Sequence, residues 1–395
     1  MKRDETVRLG VIGIGGRAQG MLKMIERVGH KIEIAAVTDV KTPDELREMM
    51  TRHEWDHSNT KFYTDADQML DKEKLDGVMI GTRCSLHAKM AIKVLNRNIS
   101  LFLEKPIATN MGDLLALRKS AETTKSEVVV SFPLRVTQHC QVAKQIIDSG
   151  KIGTVEQVQA WNDVPYGECY YQAWYRDENE TQGLWLQKAT HDFDYITYLL
   201  GYNPVRVCAM MSKQVFRGDK PAGLKCKDCE EWDECELSPF HRYMSSGIGT
   251  GVTTNEHQCA FAVDTGNEDS GSAIVMYDTG MHVNYSQNFF ARKGAGRRGA
   301  RLYGYKGTVD FDWYTNEVRV YLHQSTTEEV HKINPGTGSH SGGDPCLADN
   351  FVRIIRGEQK SVSPLSAGLL SVLMCLKAKE SCLTNTFQEI KWPGE

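Results

Sequence analysis

The chain has 395 residues, a formal net charge of -4 and a sequence pI near 6.3. That length exceeds what one hydrophobic core usually fills, so two domains are expected, and the weakly acidic balance gives no basic footprint for nucleic acid. No apolar run is long enough to span a bilayer, and Met1-Lys2-Arg3-Asp4-Glu5 lacks a signal-peptide core, so a cytoplasmic protein without a membrane partner is expected.

Val7 to Ile14 reads as a strand that runs into Gly13-Ile14-Gly15-Gly16-Arg17-Ala18, a G-x-G-x-x-A turn. Behind it Ala18, Met21, Leu22, Ile25 and Val28 recur at helical spacing, so the glycines lie between strand and helix. Such a turn lets the backbone approach a pyrophosphate, with the amides and dipole of the helix start facing the anion. Ile32 to Val37 reads as the second strand, and Asp39 follows it. A carboxylate there accepts from both ribose hydroxyls and repels a 2'-phosphate, which favours NAD; Arg17 and Lys41 keep NADP possible.

A strand at Lys61 to Tyr63, a helix from about Ala66 and a buried strand at Gly77 to Ile80 come next. Thr82 is expected alongside the cofactor, and His87, in the first turn of the following helix, reads either as a cofactor contact or as packing. Leu101 to Leu103 is a buried strand ending in Glu104-Lys105-Pro106. Strand ends of an open parallel sheet face the ligand crevice, so Lys105 is expected to present its ammonium there. Asn110, with Asp113 three residues on, caps a further helix, and Val128 to Val130 closes this half.

Val155 to Trp161 alternates as a strand, followed by an aromatic stretch with Tyr166, Tyr170, Tyr171, Trp174 and Tyr175 that suits either sugar faces or packing. Leu184 to Leu200 has a helical pattern that sets Gln187 and His191 on one face, with Asp194 in reach of the imidazole. A histidine so held can act as a general base. From about Lys213 to Gln258 the chain reads as an irregular insertion, with Cys226-x2-Cys229-x5-Cys235 and then His241. The spacing suits a structural zinc site, with free thiols as the alternative. Gly271 to Gln287 alternates again, and Phe311, Val318, Val320 and Leu322 continue the strands. The basic run Arg292 to Arg301 is either a solvated turn or a selector of anionic sugars. In Gly336 to Pro345, Asp344 reads as an N-cap and Pro345 as the first residue of a helix bearing Leu347 and Phe351; Ala367 to Leu383 is a packing helix.

Taken in this order, the glycine turn, the acidic residue after strand two, Thr82-x4-His87 and Glu104-Lys105-Pro106 resemble the Gfo/Idh/MocA family of glucose-fructose oxidoreductase and inositol dehydrogenase relatives. Ile146 to Gly153 is similar to the family's link into its second domain. The resemblance implies an α/β protein, with a Rossmann dinucleotide-binding domain over 1–133 and an α/β domain over 134–395. The latter would carry a large open, mostly antiparallel sheet, interrupted by the insertion at about 213–258, and would assemble a homodimer or homotetramer.

It further implies hydride transfer between a sugar or polyol ring carbon and NAD(P), assisted by Lys105 and His191. Gly13, Gly15, Gly16, Arg17, Ala18, Asp39, Thr82, His87, Glu104 and Lys105 would hold the cofactor. Lys105, Arg135, Tyr166, Trp174, Gln187, Lys188, His191 and His340 would hold a small carbohydrate. His191 aligns with the histidine of the family's Asp-x3-His motif, but Gln187 stands where inositol dehydrogenase relatives carry the aspartate. That departure, with the spare tyrosines Tyr195 and Tyr285, admits an NAD-dependent glycosidase working by transient C3 oxidation, elimination and re-reduction. It also admits a non-catalytic sugar or dinucleotide sensor.

Overall fold

The computed structural model describes residues 5–239, 257–334 and 340–394. The chain folds as two compact units, one of Met1–Gln145, Thr190–Gly201 and Ile333–Met374, the other of Ile146–Ala189, Tyr202–Lys332 and Cys375–Glu395.

The first unit is built on a six-stranded parallel sheet of β1 (Val7–Ile12), β2 (Ile32–Thr38), β3 (Lys61–Tyr63), β4 (Gly77–Ile80), β5 (Ser100–Leu103) and β6 (Val128–Val130). Their order, β3-β2-β1-β4-β5-β6, is that of a doubly wound dinucleotide fold, whose crevice opens at the carboxyl ends beside β1. Near-continuous apolar strands fit a sheet covered on both faces, and Val11, Val78, Phe102 and Val129 are completely buried. The β1 strand stops two residues short of the expected Ile14, because Gly13 turns the chain at a φ of +74°. Backbone bonds carry the ladder one residue past the strands: Gly13 donates to Thr38 (2.8 Å), Gly81 to Ile12 (3.0 Å), Glu104 to Ile80 (3.2 Å) and Ser131 to Leu103 (2.9 Å). The loops at this edge are therefore held by the sheet itself.

Helix Gly343–Ile355 belongs to the same unit, and its Leu347, Phe351 and Ile354 join the core of β1 and helix Gly16–Arg27. Phe351 meets Phe102 edge-on at 5.6 Å. Asp344 is not its N-cap: Gly342 takes that position at a φ of +83°, and Asp344 lies in the first turn with its carboxylate used elsewhere. The long helix expected over 184–200 is interrupted as well. Trp185–Ala189 is a π-helical turn, followed by the α-helix Thr190–Leu200. The π turn closes i to i+5 rather than i to i+4, so the single α-helical register expected from Leu184 to Leu200 is broken at its start.

The second unit carries a nine-stranded sheet of β7 (Val155–Asp163), β8 (Pro204–Ser212), β9 (Ser270–Tyr277), β10 (His282–Asn288), β11 (Arg297–Gly304), β12 (Gly307–Asp312), β13 (Glu317–Leu322), β14 (Glu328–Lys332) and β15 (Gln388–Glu389). Its order is β14-β13-β12-β11-β7-β10-β9-β8-β15, antiparallel except where β7 meets β10. The alternation from Gly271 to Gln287 is a hairpin, β9 to β10, which reverses at Gly280 with a φ of +89°. Val158, Val275, Val283, Leu302 and Val320 are buried on one face of the sheet. Among the described residues, no helix is long and apolar enough to cross a membrane.

Candidate active site

The glycine turn is shaped by close approach. A Cβ on Gly13 would lie 2.5 Å from Thr82 Cγ2, and one on Gly15 would lie 2.8 Å from the Gly81 carbonyl. At Gly16, the first residue of helix Gly16–Arg27, an added Cβ meets nothing within 4 Å, and no side chain caps the helix start. First-turn amides thus face an open edge, the arrangement that receives a phosphate group. Asp39 stands beside the turn, accepting from the Ile14 amide at 2.8 Å and from the Lys41 amide at 3.0 Å. Thr82 donates its hydroxyl to the Arg83 carbonyl (3.1 Å).

His87 is a brace. Its ring is buried, with Nδ1 2.8 Å from the Pro106 carbonyl and Nε2 3.1 Å from that of Thr82. Burial lowers its pKa, so the ring is neutral at pH 7 and donates through one nitrogen. It ties the Thr82 loop to the turn that carries Lys105, which is the packing alternative rather than an open contact.

Arg17 does not lie open to an anion. Its guanidinium spans both Asp344 oxygens (3.0 and 3.0 Å), reaches Glu104 at 3.4 Å and donates to Ser131 Oγ at 3.2 Å. Burial works against this charge, but Glu104 and Asp344 outweigh it and raise the pKa above the usual arginine value. Asp344 also accepts from His340 Nδ1 at 2.9 Å. Burial by itself would raise the Asp344 carboxyl, yet the bonds from His340 and Arg17 hold it well below the usual range.

His191 joins the same edge. Its buried ring lies edge-on to Phe132, which follows β6, with centroids 5.8 Å apart, and 6.3 Å from the ring of His340. The sequence pattern had Asp194 orienting this imidazole. Instead Asp194 takes Arg135 in a buried two-point bond (2.9 and 2.5 Å) that keeps the Arg135 charge in place against burial. Periodicity showed the acid but not the cation from another element. The first unit thus gathers Lys105, His191, His340, Arg17 and Glu104 around the carboxyl ends of β1, β5 and β6.

In the second unit, Lys188 donates to the Tyr166 hydroxyl at 2.9 Å and lies 5.0 Å from the Tyr170 ring centre. Tyr166 is exposed, whereas Tyr170 and Tyr171 are buried with Phe216 and Phe289, so packing accounts for that part of the aromatic stretch. Trp174 stacks on Tyr175 at 3.9 Å, and Gln187 is buried. Both spare tyrosines, Tyr195 and Tyr285, are buried. In the basic run, Arg297 binds Asp163 (2.7 Å) and Arg301 binds Asp310 (3.1 Å).

Two domain families match the chain. Residues 7–132 match the oxidoreductase family with an NAD-binding Rossmann fold, and residues 140–310 match the GFO/IDH/MocA C-terminal domain. The chain belongs to the Gfo/Idh/MocA oxidoreductase family. It is 26% identical over 324 residues to the putative oxidoreductase YteT of Bacillus subtilis, covering 74% of this chain and 75% of that one. It is 28% identical over 291 residues to the inositol 2-dehydrogenase of Rhizobium meliloti, with 73% and 81% covered. Among solved structures, a levoglucosan dehydrogenase in complex with NADH shares the fold with a TM-score of 0.78 at 15% identity, over 98% of this chain and all 100% of the other.

The glycine cradle fits the NAD of a Gfo/Idh/MocA oxidoreductase, since only glycine tolerates the contacts at Gly13 and Gly15. The zinc expectation does not fit. None of the eleven cysteines is joined in a disulfide, and among the described residues no three His, Cys, Asp or Glu side chains converge as metal ligands. His241 lies outside the described residues. What holds the Cys226 segment is backbone pairing: the Cys226 amide bonds His257 O at 3.0 Å, and the Cys259 amide bonds Leu224 O at 2.8 Å. These backbone bonds pin the short loop.

Proposed function

We propose that the chain oxidises a ring alcohol of a sugar or polyol, or runs the reverse reduction, with Lys105 and His191 handling the hydroxyl proton. The observation that carries this reading is the grouping of a lysine at the β5 edge and a buried histidine at the β6 edge beside a glycine turn fit for NAD. The inositol 2-dehydrogenase relative supports a polyol as the substrate class. Bound along the turn, NAD would supply the hydride acceptor. Asp39, which would meet the ribose hydroxyls, favours NAD over NADP.

Lys105 would hold the reacting oxygen with its ammonium, stabilising the alkoxide as the C–H bond weakens. His191 would take the proton; its ring is buried and lies edge-on to Phe132. Glu104, bound to Arg17, would fix the backbone that aims Lys105. On this reading the nucleotide-binding half ends near residue 133, and the chain after it returns His191 and His340 to the unit that carries Lys105 as substrate contacts. The strand-rich domain would also pair two or four copies.

The test is to incubate the protein with NAD or NADP and a panel that includes myo-inositol, levoglucosan and aryl glycosides. Nicotinamide absorbance and released aglycone are both followed. Net reduction with an alcohol supports the reading. Aglycone release without net reduction replaces it with the glycosidase, and binding without either replaces it with a sensor.

A further inference from the structure

Each turnover leaves one proton on His191, and that ring is buried. Of the two positions that the sequence sets beside it, 187 is an amide and Asp194 binds Arg135. The nearest polar ring described against it is His340, 6.3 Å away centre to centre and inclined by 33°. One hydroxyl or water spans such a gap with two ordinary hydrogen bonds.

His340 is built for this place. Its side chain keeps 33% of its surface exposed, while Asp344, which fixes Nδ1, keeps 2%. Asp344 is in turn gripped at both oxygens by Arg17, from the helix that follows the glycine turn. The backbone of His340, Ser341 and Gly342 runs through three left-handed residues, with φ of 51°, 50° and 83°. Non-glycine residues hold such a conformation only when their surroundings demand it. Other charged groups of this edge are Glu104 and Lys105 on the β5 turn and the Arg135–Asp194 pair.

We propose that His340 is a further proton-carrying residue of the site, passing the proton of His191 to solvent, with Asp344 and Arg17 as its positioning residues. The idea rests on the alcohol-oxidation reading above. In that step the C–H electron pair leaves as hydride to the nicotinamide, which is reduced. The O–H bond breaks with its proton taken by His191, and the alcohol becomes a carbonyl. His340 Nε2 then accepts the proton as Nδ1–H stays on Asp344, and releases it to water. Asp344 supplies the negative partner of His340.

The experiment compares wild type, His340→Ala and Asp344→Asn with NAD and the best-oxidised alcohol of the panel, using thermal melting to confirm that each variant folds. His340→Ala is expected to lower kcat by about 10²-fold with a small change in KM, and added imidazole is expected to restore much of the rate. Asp344→Asn is expected to move the kcat midpoint to lower pH, because the imidazolium loses its counter-charge. In the protein without cofactor, NMR of labelled histidine is expected to show the His340 resonance, identified by its loss in His340→Ala, titrating at lower pH in Asp344→Asn. A His340→Ala enzyme with wild-type kcat and pH profile overturns the proposal, as does a slow one that imidazole does not rescue, or a His340 titration that ignores Asp344→Asn. A wild type that oxidises no alcohol in the panel sinks the underlying reading and this proposal together, so the two failures are distinct.

Discussion

At the scale of single residues, local spacing proposed pairings that the structure replaces. Asp194, three positions from His191, looked like its partner, yet Arg135 from another element claims it with two charge-assisted bonds. Local spacing says which groups can meet on one helix; it carries no record of a cation arriving from elsewhere. Arg17 looked like an anion contact and is held by Asp344 and Glu104. Two predictions belong here. If the proposed function holds, Lys105→Met should lower kcat by at least about 10²-fold while NADH affinity, read by fluorescence titration, changes little, since the lost ammonium would act on the reacting oxygen. Arg135→Met, which strands a buried carboxylate, should lower stability by about 3–5 kcal/mol in urea unfolding, and the double variant Arg135→Met with Asp194→Leu should recover most of that loss.

At the scale of elements, the parallel strands were legible because strands buried on both faces are continuous apolar runs. Turns and helix irregularities were less so. The π-helical turn Trp185–Ala189 has no local residue signature, and the hairpin at Gly280 was hidden inside a single alternating pattern. Gly13 is the sharpest element-level test. Gly13→Ala would force alanine into the left-handed region at a cost of about 1–2 kcal/mol and drive its Cβ into Thr82, so a lower melting temperature and lost NADH binding are expected.

His139, in helix Gln138–Asp148, gives a pH prediction. It is fully buried, and burial pushes its pKa down to about 4. An unfolded imidazole titrates near pH 6.5, so as pH falls below that value the unfolded chain takes up the proton first. The contribution to stability is full above that pH and declines until about pH 4. Between pH 6.5 and 5 this amounts to about 2 kcal/mol, and urea unfolding of His139→Gln should show a correspondingly flatter pH dependence than wild type.

At the scale of the whole molecule, the open face of the nine-stranded sheet remains to be accounted for. Register puts Met210 opposite Ser272, and Ile274 and Met276 follow on that same face of β9, with 73%, 49% and 40% of the surface of Met210, Ile274 and Met276 exposed. Exposed apolar side chains grouped on a sheet face suit association of copies. Sedimentation is expected to give a mass above that of the single 44.5 kDa chain, and Ile274→Lys with Met210→Glu is expected to shift it towards one chain with little loss of melting temperature. A wild type that sediments as one chain would remove this assembly.

By itself the sequence determined the two-part α/β organisation, the glycine turn, the lysine at the β5 edge and the histidine on its helix. Each follows from periodicity or from turn chemistry that is encoded within a few neighbouring residues. Only the tertiary structure decided the partners. That His340, Asp344 and Arg17 form one clasp, joining positions more than 320 residues apart (|i−j| of 327 for Arg17 and Asp344), depends on the packing of helix Gly343–Ile355 in the unit that holds the glycine turn. Hydrogen bonds between distant charges are fixed by where elements pack, and packing is a property of the assembled core rather than of any local stretch.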